Sequence, residues 1–231
     1  MNEVLRQEKK YLLTAVEAVT LGRRLERVMI SDSHNNARGY RIRSLYFDTP
    51  FDGDYMDKIN GVELRRKIRL RNYDPEADYA MLEMKQKEGA YQKKRSLRIG
   101  RDDALQLIRG NYSVLLRYED PFAAECFGLM HGMCYRPKAV VEYLRTAYIA
   151  KENRIRITLD RNIIATESCY DIFSVSLNQY PVLDPFYAVL EVKYNGFLLS
   201  YIKDLVNTAD HSELSVSKYC MARDVGLHNI S

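Results

Sequence analysis

The sequence predicts an antiparallel α+β fold, built on a barrel or strongly curved sheet of about eight strands with flanking helices. Strand-like segments rich in aromatic and β-branched residues follow one another along most of the chain, and helical patterns lie mainly towards its two ends. Few βαβ alternations interrupt the strands, which favours antiparallel pairing. No internal repeat, low-complexity segment or Pro/Gly/Ser-rich linker divides the 231 residues, so a single domain over 1–231 is expected.

The N-terminal half begins with an extended segment, "RQEKKYLLT" (6–14), followed by a helix over 15–28. Thr14 and Glu17 have capping-box spacing, in which the hydroxyl accepts from a first-turn N–H and the carboxylate reaches back. The Glu88-Gly89-Ala90 connection indicates a hairpin between two strands. The strands expected in this half, interrupted by a polar loop at 50–61, are 40–49, 62–73, 79–87 and 92–100.

The C-terminal half continues with a short helix at 102–109, and 122–133 is expected to be helical or irregular. An amphipathic helix at 197–209 precedes the closing segment 215–225. Between these helical regions, three further strands are expected at 139–149, 154–163 and 187–194.

Composition excludes several classes of protein. The formal charge of +4, with 46% hydrophobic and 29% charged residues, is ordinary for a globular chain and does not by itself imply a nucleic-acid or membrane partner. No basic-then-apolar leader and no apolar run of about 18 residues is present, so a cytoplasmic location is expected, with any membrane role left to a partner protein. The cysteines have no metal-ligand spacing and are expected to be reduced thiols in the core: Cys126, Cys134, Cys169 and Cys220.

Charge is sorted by strand parity, since alternate side chains of a strand share one face. In "VELRRKIRLRNY" (62–73), one face carries Glu63, Arg65, Lys67, Arg69 and Arg71, and the other carries Leu64, Arg66, Ile68 and Leu70. Four other segments sort in the same way, with charged faces that hold Glu83, Lys85 and Lys87; Lys94, Ser96 and Arg98; Arg154 and Arg156; Glu191 and Lys193. Charged residues therefore line one face of at least five strands.

Two interpretations of these faces are open. A solvated sheet face is the simpler one, in which Lys and Arg keep the surface wet. However, the faces are mainly Arg and Lys with single Glu residues, and like charges opposite each other destabilise a ladder by up to about 1 kcal/mol per pair. A polyanion is a natural counter-charge. Cations ringed inside a curved sheet suit a linear phosphate chain better than a nucleic-acid duplex.

The chain resembles the VTC domain, the polyphosphate polymerase branch of the triphosphate tunnel metalloenzyme (CYTH-like) fold. The resemblance runs nearly from end to end. Nine segments carry it in the expected order: "RQEKKY", "SLYFDT", "KIRLRNY", "LEMKQK", "KKRSLRI", "YLRTAY", "RIRITLDRNI", "YAVLEVKY" and "SKY". The resemblance implies an antiparallel β-tunnel that binds nucleoside triphosphate and polyphosphate, with a divalent metal, Mn²⁺ or Mg²⁺.

The resemblance also implies roles for individual residues. Glu191 is similar to the metal ligand of the family, and Tyr143 to a tyrosine near the phosphates. Among the three basic residues 93–95, Lys94 is chosen because Leu97 and Ile99 then fall on the apolar face. The catalytic set implied is Lys10, Arg69, Arg71, Arg145 and Glu191. The phosphate-binding set implied is Lys10, Arg69, Arg71, Lys85, Lys94, Tyr143, Arg145, Arg156, Lys193 and Lys218.

Two positions depart from the family pattern. The hydrolase branch opens with Glu-x-Glu-x-Lys, whereas this chain has Arg6, Glu8 and Lys10 in those slots. Replacement of the first carboxylate argues against a two-metal hydrolase and for the polymerase branch. Some polymerases carry a lysine three residues before that of "SKY", where this chain has Ser215, which weakens the expectation of tight product binding.

The function implied is transfer of the γ-phosphate of ATP to a growing polyphosphate chain, with pyrophosphate or polyphosphate as acceptor. Positioning and charge neutralisation suffice for such a reaction, so no protein nucleophile is expected. Accordingly, none of the four histidines lies in a base-like sequence context: His34, His131, His211 and His228. An inorganic triphosphatase or polyphosphatase, and a non-catalytic polyphosphate or nucleotide sensor, are the alternatives.

Overall fold

The computed structural model describes residues 6–89, 91–207 and 217–228. The strands are β1 Arg6–Thr14, β2 Ile30–Ser31, β3 Tyr40–Asp48, β4 Arg65–Asn72, β5 Tyr79–Glu88, β6 Tyr91–Gly100, β7 Arg136–Ala150, β8 Ile155–Thr166, β9 Tyr180–Pro181 and β10 Tyr187–Asn195. The α-helices are α1 Ala15–Val28, α2 Gly53–Ile59, α3 Arg101–Ile108, α4 Pro121–Gly132, α5 Ser200–Asn207 and α6 Lys218–His228. Two 3₁₀ helices cover Tyr112–Arg117 and Glu152–Arg154.

The strands form one ten-stranded sheet in the order β1-β10-β8-β7-β3-β4-β5-β6, with β2 paired to β7 and β9 paired to β8. The registers of β1–β10, β10–β8, β3–β4, β4–β5 and β5–β6 are all antiparallel. This confirms the predicted antiparallel α+β class with flanking helices. Over the described residues, β1 and β6 are the two ends of the strand order, so the sheet is not closed.

The chain divides into two compact units. The first takes its described residues from 1–41, 143–163 and 181–217, and the second from 42–142, 164–180 and 218–231. Strands β7 and β8 contribute residues to both units. The single-domain organisation stays a prediction. Among the described residues, no helix is both long and apolar enough to cross a membrane, and the four cysteines form no disulfide bond. Cys126 and Cys220 are buried as expected, but Cys134 is exposed and Cys169 is half-buried, so the expectation of a core position is wrong for Cys134.

The core of the first unit lies between α1, α5 and one face of the strands. Helix α1 begins at the predicted capping box, where Thr14 Oγ1 accepts from the Glu17 N–H at 3.3 Å and the Glu17 carboxylate accepts from the Thr14 N–H at 2.8 Å. The buried core includes Leu13, Leu21, Leu25, Ile155, Ile157, Leu159, Leu190, Val192 and Ile202. The alternate residues of β8 and β10 therefore face away from this core.

The core of the second unit packs α3, the 3₁₀ helix Tyr112–Arg117 and α4 against the apolar face of β3 to β6. Its buried residues include Leu45, Phe47, Ile68, Leu70, Leu82, Met84, Ile99, Leu107, Leu115 and Met130. Among them, Ile68, Leu70, Leu82, Met84 and Ile99 are residues that strand parity placed opposite the cations. Helices thus cover the apolar face of the sheet within this unit, and the cations lie on the other face.

Helix α2 lies inside the segment 50–61, which the sequence predicts as a loop; that prediction is wrong at Gly53–Ile59. The Asp48 carboxylate accepts from the backbone N–H groups of Thr49, Asp54 and Tyr55 at 2.7, 2.8 and 2.9 Å. It therefore satisfies donors at the start of the helix. Asp52, at the ordinary capping position, makes no side-chain capping bond. A helix capped from several residues upstream has no local sequence signature.

The Asp54 carboxyl gives the stability of the protein a pH dependence. Burial first, and the nearby Asp48 second, raise the pKa of Asp54 to about 7, although a hydrogen bond from Tyr135 lowers it. Stability from this group is complete below an unfolded-state pKa of about 4 and is lost as the pH rises through about 7. We expect Asp54→Asn to flatten the fall in unfolding free energy between about pH 4.5 and 7.5.

Urea unfolding across that pH range measures this effect. Asp78→Asn is the matched control, because the Asp78 side chain is 88% exposed. If the unfolding free energy of Asp54→Asn fell with pH as steeply as that of the wild type, Asp54 would not be the group responsible for the pH dependence.

Candidate functional site

The register of β1, β10 and β8 places polar side chains in rows on one face of the first unit. Two rows cross the three strands: Lys10, Glu191 and Thr158 in one, and Glu8, Lys193 and Arg156 in the next. Neighbouring β7 adds Tyr143 and Arg145, and Arg145 binds Asp160 of β8. The Glu191 cluster is defined as Glu8, Lys10, Tyr143, Arg145, Thr158, Asp160, Glu191 and Lys193.

Two lysines and two glutamates neutralise one another at the centre of the Glu191 cluster. Lys10 Nζ lies 3.1 Å from Glu8 Oε1 and 3.8 Å from Glu191 Oε2. Lys193 Nζ contacts Glu191 Oε1 and lies 3.8 Å from Glu8 Oε2. Burial lowers the pKa of the Lys193 ammonium, and the two carboxylates oppose that shift. The two lysines and the two glutamates therefore form one ionic network.

Arg145 forms a bidentate pair with Asp160 beside these four residues. Its Nε and Nη2 donate to the two carboxylate oxygens at 2.6 and 2.8 Å, and both side chains are buried. The guanidinium also lies 5.3 Å from the centre of the Tyr143 ring. Burial acts to lower the pKa of Arg145, but Asp160 holds it well above its usual value. This cation therefore remains charged and fixed in orientation.

Arg156 has its own partners in the first unit. Its Nη1 lies 2.8 Å from Asp32 Oδ2, and its Nη2 donates to the Tyr40 hydroxyl at 3.1 Å. Asp32 also accepts from the backbone N–H of His34 at 3.0 Å. Burial opposes ionisation of Asp32, but the His34 hydrogen bonds and Arg156 lower its pKa. Arg156 is thus held by a carboxylate of the loop before β3.

The second unit carries its own cationic face. The Glu83 cluster is defined by the aligned residues of β3 to β6: Tyr46, Lys67, Arg69, Arg71, Glu83, Lys85 and Lys94. Lys67, Lys85 and Lys94 lie directly opposite one another on three adjacent strands. Such a row of like charges is unfavourable without a counter-charge.

Three cations converge on the single carboxylate of this cluster. Arg69 donates from Nε to Glu83 Oε2 at 2.8 Å, and Arg71 Nε lies 3.8 Å from the same oxygen. Lys94 Nζ contacts the other oxygen, Oε1. Burial alone would raise the pKa of Glu83, but Arg69, Arg71 and Lys94 lower it to about 2. Arg69, Arg71 and Lys94 thus share one carboxylate, and their positive charges are gathered on one face of the sheet.

A pair of tyrosines supports the cations of the second unit. Tyr46 and Tyr219 stack with ring centres 5.1 Å apart, and Lys67 Nζ lies 5.6 and 5.7 Å from their centres. The Tyr46 hydroxyl accepts from Arg69 Nη1 at 3.1 Å. Burial raises the pKa of Tyr46, but Arg69, Lys67 and Arg71 lower it to about 8. Tyr219 is held in turn by Asp48, to which its hydroxyl donates at 2.7 Å.

The structure places the predicted site residues in two groups. In the first unit, one sheet face carries Lys10, Tyr143, Arg145, Arg156, Glu191 and Lys193. In the second unit, the Glu83 cluster contains Arg69, Arg71, Lys85 and Lys94, and Lys218 begins α6 beside Tyr219. Their catalytic, phosphate-binding and metal-binding roles stay predictions. Ser215 lies outside the described residues.

Sequence reasoning left several cluster members without a site role: Glu8, Tyr46, Lys67, Thr158 and Asp160. Strand parity could have found Glu8, two residues before Lys10, and Asp160, four residues after Arg156. The contact between Lys67 and Tyr219 had no such signal, because these residues are distant in sequence.

The donor set of the Glu191 cluster fits a divalent metal of the kind that the family resemblance implies. Within the described ranges, no group of three His, Cys, Asp or Glu side chains could form an all-protein cage. Mg²⁺ is commonly held by one or two carboxylates together with substrate phosphates. Glu191 and Glu8 could supply those carboxylates. Thr158 Oγ1 is buried and has no hydrogen-bond partner among the described residues.

Several solved structures share the fold of this chain. A candidate adenylyl cyclase from Hippeastrum, described as having a dominant triphosphatase activity, is 13% identical, with a TM-score of 0.57 over 94% of each chain. A candidate adenylate cyclase from Bacillus halodurans is 12% identical, with a TM-score of 0.54 over 94% of this chain and 96% of that one. One from Vibrio parahaemolyticus is 15% identical, with a TM-score of 0.51 over 94% and 97%. These low identities establish the shared fold alone.

Within that fold, the chain belongs to the VTC domain family, whose model matches residues 5–226. The match covers both the Glu191 cluster and the Glu83 cluster. No curated protein matches the chain. The family assignment therefore rests on the domain model and on the shared fold.

Proposed function

We propose that this protein is a polyphosphate polymerase, which transfers the γ-phosphate of ATP to a growing polyphosphate chain. The observation that carries the proposal is the convergence of Arg69, Arg71 and Lys94 on the single carboxylate of Glu83. Cations that are preassembled on one sheet face suit a ligand with closely spaced negative charges. A linear phosphate chain is such a ligand.

The cations of both clusters are held by carboxylates before any phosphate binds. Lys10 and Lys193 contact Glu8 and Glu191, and Arg145 is bound by Asp160. These contacts restrain the cationic side chains, so less conformational freedom is lost when a phosphate binds. We expect phosphate oxygens to replace the carboxylates as partners of these cations, or to bind the cations beside them. This should occur most readily at Lys10 and Lys94, whose side chains are 22% and 49% exposed.

The reaction requires no covalent bond to the protein. An oxygen of the terminal phosphate of the acceptor chain forms a bond to the γ-phosphorus, the bond from that phosphorus to the β,γ-bridging oxygen breaks, and ADP leaves with the electron pair. Lys10 and Arg145 in the first unit, and Arg69 and Arg71 in the second unit, each bind phosphate groups, orient them and offset their charge. A Mn²⁺ or Mg²⁺ ion held by Glu191, with Glu8 beside it, would supply further neutralisation of phosphate oxygens.

Hydrolysis of short chains is the second candidate function. Glu8 favours it, because this carboxylate of the Glu-x-Glu-x-Lys pattern remains next to Glu191, bridged to it by Lys10. A hydrolase would need to position water as the acceptor. The absence of a carboxylate at Arg6 leaves fewer ligands for a second metal, so we favour transfer to a phosphate acceptor.

Incubation of the purified chain with ATP and Mn²⁺, with and without pyrophosphate primer, tests the proposal. Products are resolved by gel electrophoresis and orthophosphate release is measured in parallel. We expect long polyphosphate chains and an equivalent yield of ADP. Orthophosphate without long chains would replace the proposal with the hydrolase. Tight polyphosphate binding without turnover would leave a binding-only sensor.

A further inference from the structure

The buried hydroxyl of Thr158 is an unexplained feature of the Glu191 cluster. The residue is only 1% exposed, and its Oγ1 has no hydrogen-bond partner in the part of the chain that the structure describes. Buried hydroxyls in folded proteins nearly always have a partner, so this atom needs an explanation. Its neighbours Ile157 and Leu159 belong to the hydrophobic core. Thr158 therefore faces the other side of the sheet, which carries the cluster.

The strand register places the Thr158 side chain beside that of Glu191. The two residues are directly opposite in the antiparallel register of β8 and β10, which places Cβ atoms about 4.5–5.5 Å apart. On the same face of β8, Arg156 is held by Asp32, and Asp160 is held through both oxygens by Arg145. The Thr158 hydroxyl is thus flanked by side chains that already have ionic partners.

A neutral oxygen beside a carboxylate suits a hard divalent cation. Mg²⁺, Mn²⁺ and Ca²⁺ favour oxygen ligands, and a Ser or Thr hydroxyl together with a carboxylate holds the metal in P-loop nucleotide sites. We propose that Thr158 Oγ1 is a second oxygen ligand of the divalent cation at Glu191, directly or through one water molecule. This inference rests on the proposed function, which places the cation at Glu191.

Mn²⁺ binding to the full chain without nucleotide tests the inference, measured by electron paramagnetic resonance of free Mn²⁺. We expect Thr158→Val to weaken Mn²⁺ binding by about tenfold or more, in the range typical for the loss of a supporting group at a metal site. Thr158→Ser keeps the hydroxyl and is expected to bind within about twofold of the wild type. The metal-free melting temperature of Thr158→Val should be unchanged or higher, since an unpartnered buried hydroxyl is removed.

Thr166→Val is the matched control. Thr166 lies on the same strand and is equally buried at 1%, but its Oγ1 accepts from the Ser168 N–H at 3.2 Å. Its replacement should therefore lower the melting temperature and leave Mn²⁺ affinity unchanged. Thr158→Val is expected to show the opposite result, with weaker Mn²⁺ binding and no loss of melting temperature. This difference would distinguish a metal-ligand role for Thr158 from a packing role.

Three results would overturn the inference. The first is a Thr158→Val variant that binds Mn²⁺ as tightly as the wild type. The second is a Thr158→Val variant with unchanged Mn²⁺ affinity that binds tripolyphosphate more weakly in EDTA, because the hydroxyl would then donate a hydrogen bond to phosphate. Absence of Mn²⁺ binding by the wild type is the third. Glu191→Gln distinguishes failure of the Thr158 inference from failure of the metal assignment. If Glu191→Gln loses Mn²⁺ binding and Thr158→Val keeps it, only the Thr158 inference fails. If Glu191→Gln binds Mn²⁺ like the wild type, the assignment of the metal to Glu191 fails as well.

Discussion

Glu191→Gln is expected to reduce polyphosphate synthesis at least about 100-fold, a loss typical for removal of one preorganised electrostatic group in an active site. The carboxylate is nearly buried, with a side chain 8% exposed, and it contacts both Lys10 and Lys193. Glutamine keeps the shape but removes the negative charge that would hold a divalent cation. Gel analysis of chain length, with ADP release as the rate, measures the effect.

Glu191→Gln also removes a negative charge beside Lys10 and Lys193. Phosphate binding must therefore be measured separately from the rate of polyphosphate synthesis. We expect metal-free binding of tripolyphosphate to Glu191→Gln to be retained or strengthened, because Lys10 and Lys193 lose a competing carboxylate. Glu142→Gln is the control, since Glu142 pairs with Arg43 at 2.6 Å outside both clusters. Synthesis at the wild-type rate by Glu191→Gln would refute the assignment of the metal.

Glu83→Gln is expected to lower the unfolding free energy by about 3 kcal/mol in phosphate-free buffer, the lower end of the range for a broken buried ion pair. The lower end applies because Arg69 and Lys94 keep some access to water, with side chains 21% and 49% exposed. The pKa of Glu83 is lowered to about 2, so its contribution is present above the ordinary value of 4.5 and is lost as the pH falls through about 2. Near neutral pH the whole effect should appear in urea unfolding.

Added tripolyphosphate should raise the stability of Glu83→Gln more than that of the wild type, because phosphate oxygens can take the place of the missing carboxylate. Glu125→Gln is the matched control. Glu125 binds Arg95 through both of its oxygens in the same unit, but Arg95 points to the opposite face of β6. Equal rescue of both variants would show that the Glu83 cluster is not a phosphate site.

Strand faces and the start of helix α1 were predictable because they depend on residues close together in sequence. Parity alone separated Arg69 and Arg71 from Ile68 and Leu70, and the structure buries the latter pair in the core. The capping box at Thr14 and Glu17 marked the start of α1. The choice of Lys94 also agrees with the register, which places it opposite Lys85, while Arg95 lies opposite Met84.

Features that depend on distant partners were not predictable in the same way. Helix α2 is capped by Asp48 from outside the helix, so the segment looked like a polar loop. Arg43 falls on the apolar face of β3. There its guanidinium pairs with the Glu142 carboxylate and donates hydrogen bonds to the carbonyl oxygens of Ile172 and Ser174. No local pattern identifies such partners.

The sequence by itself determined the antiparallel α+β class, most strand positions and the face of each strand that carries charge, since a period of two residues is a local property. Tertiary structure alone decided which charges meet. The pairing of Lys10 with Glu191 and the position of the Thr158 hydroxyl depend on register between strands that are far apart in the chain. The shared carboxylate of Glu83 depends on the register of the consecutive strands β4, β5 and β6. A shift of one residue in any register would turn these side chains into the core, so the burial of the apolar face fixes the site.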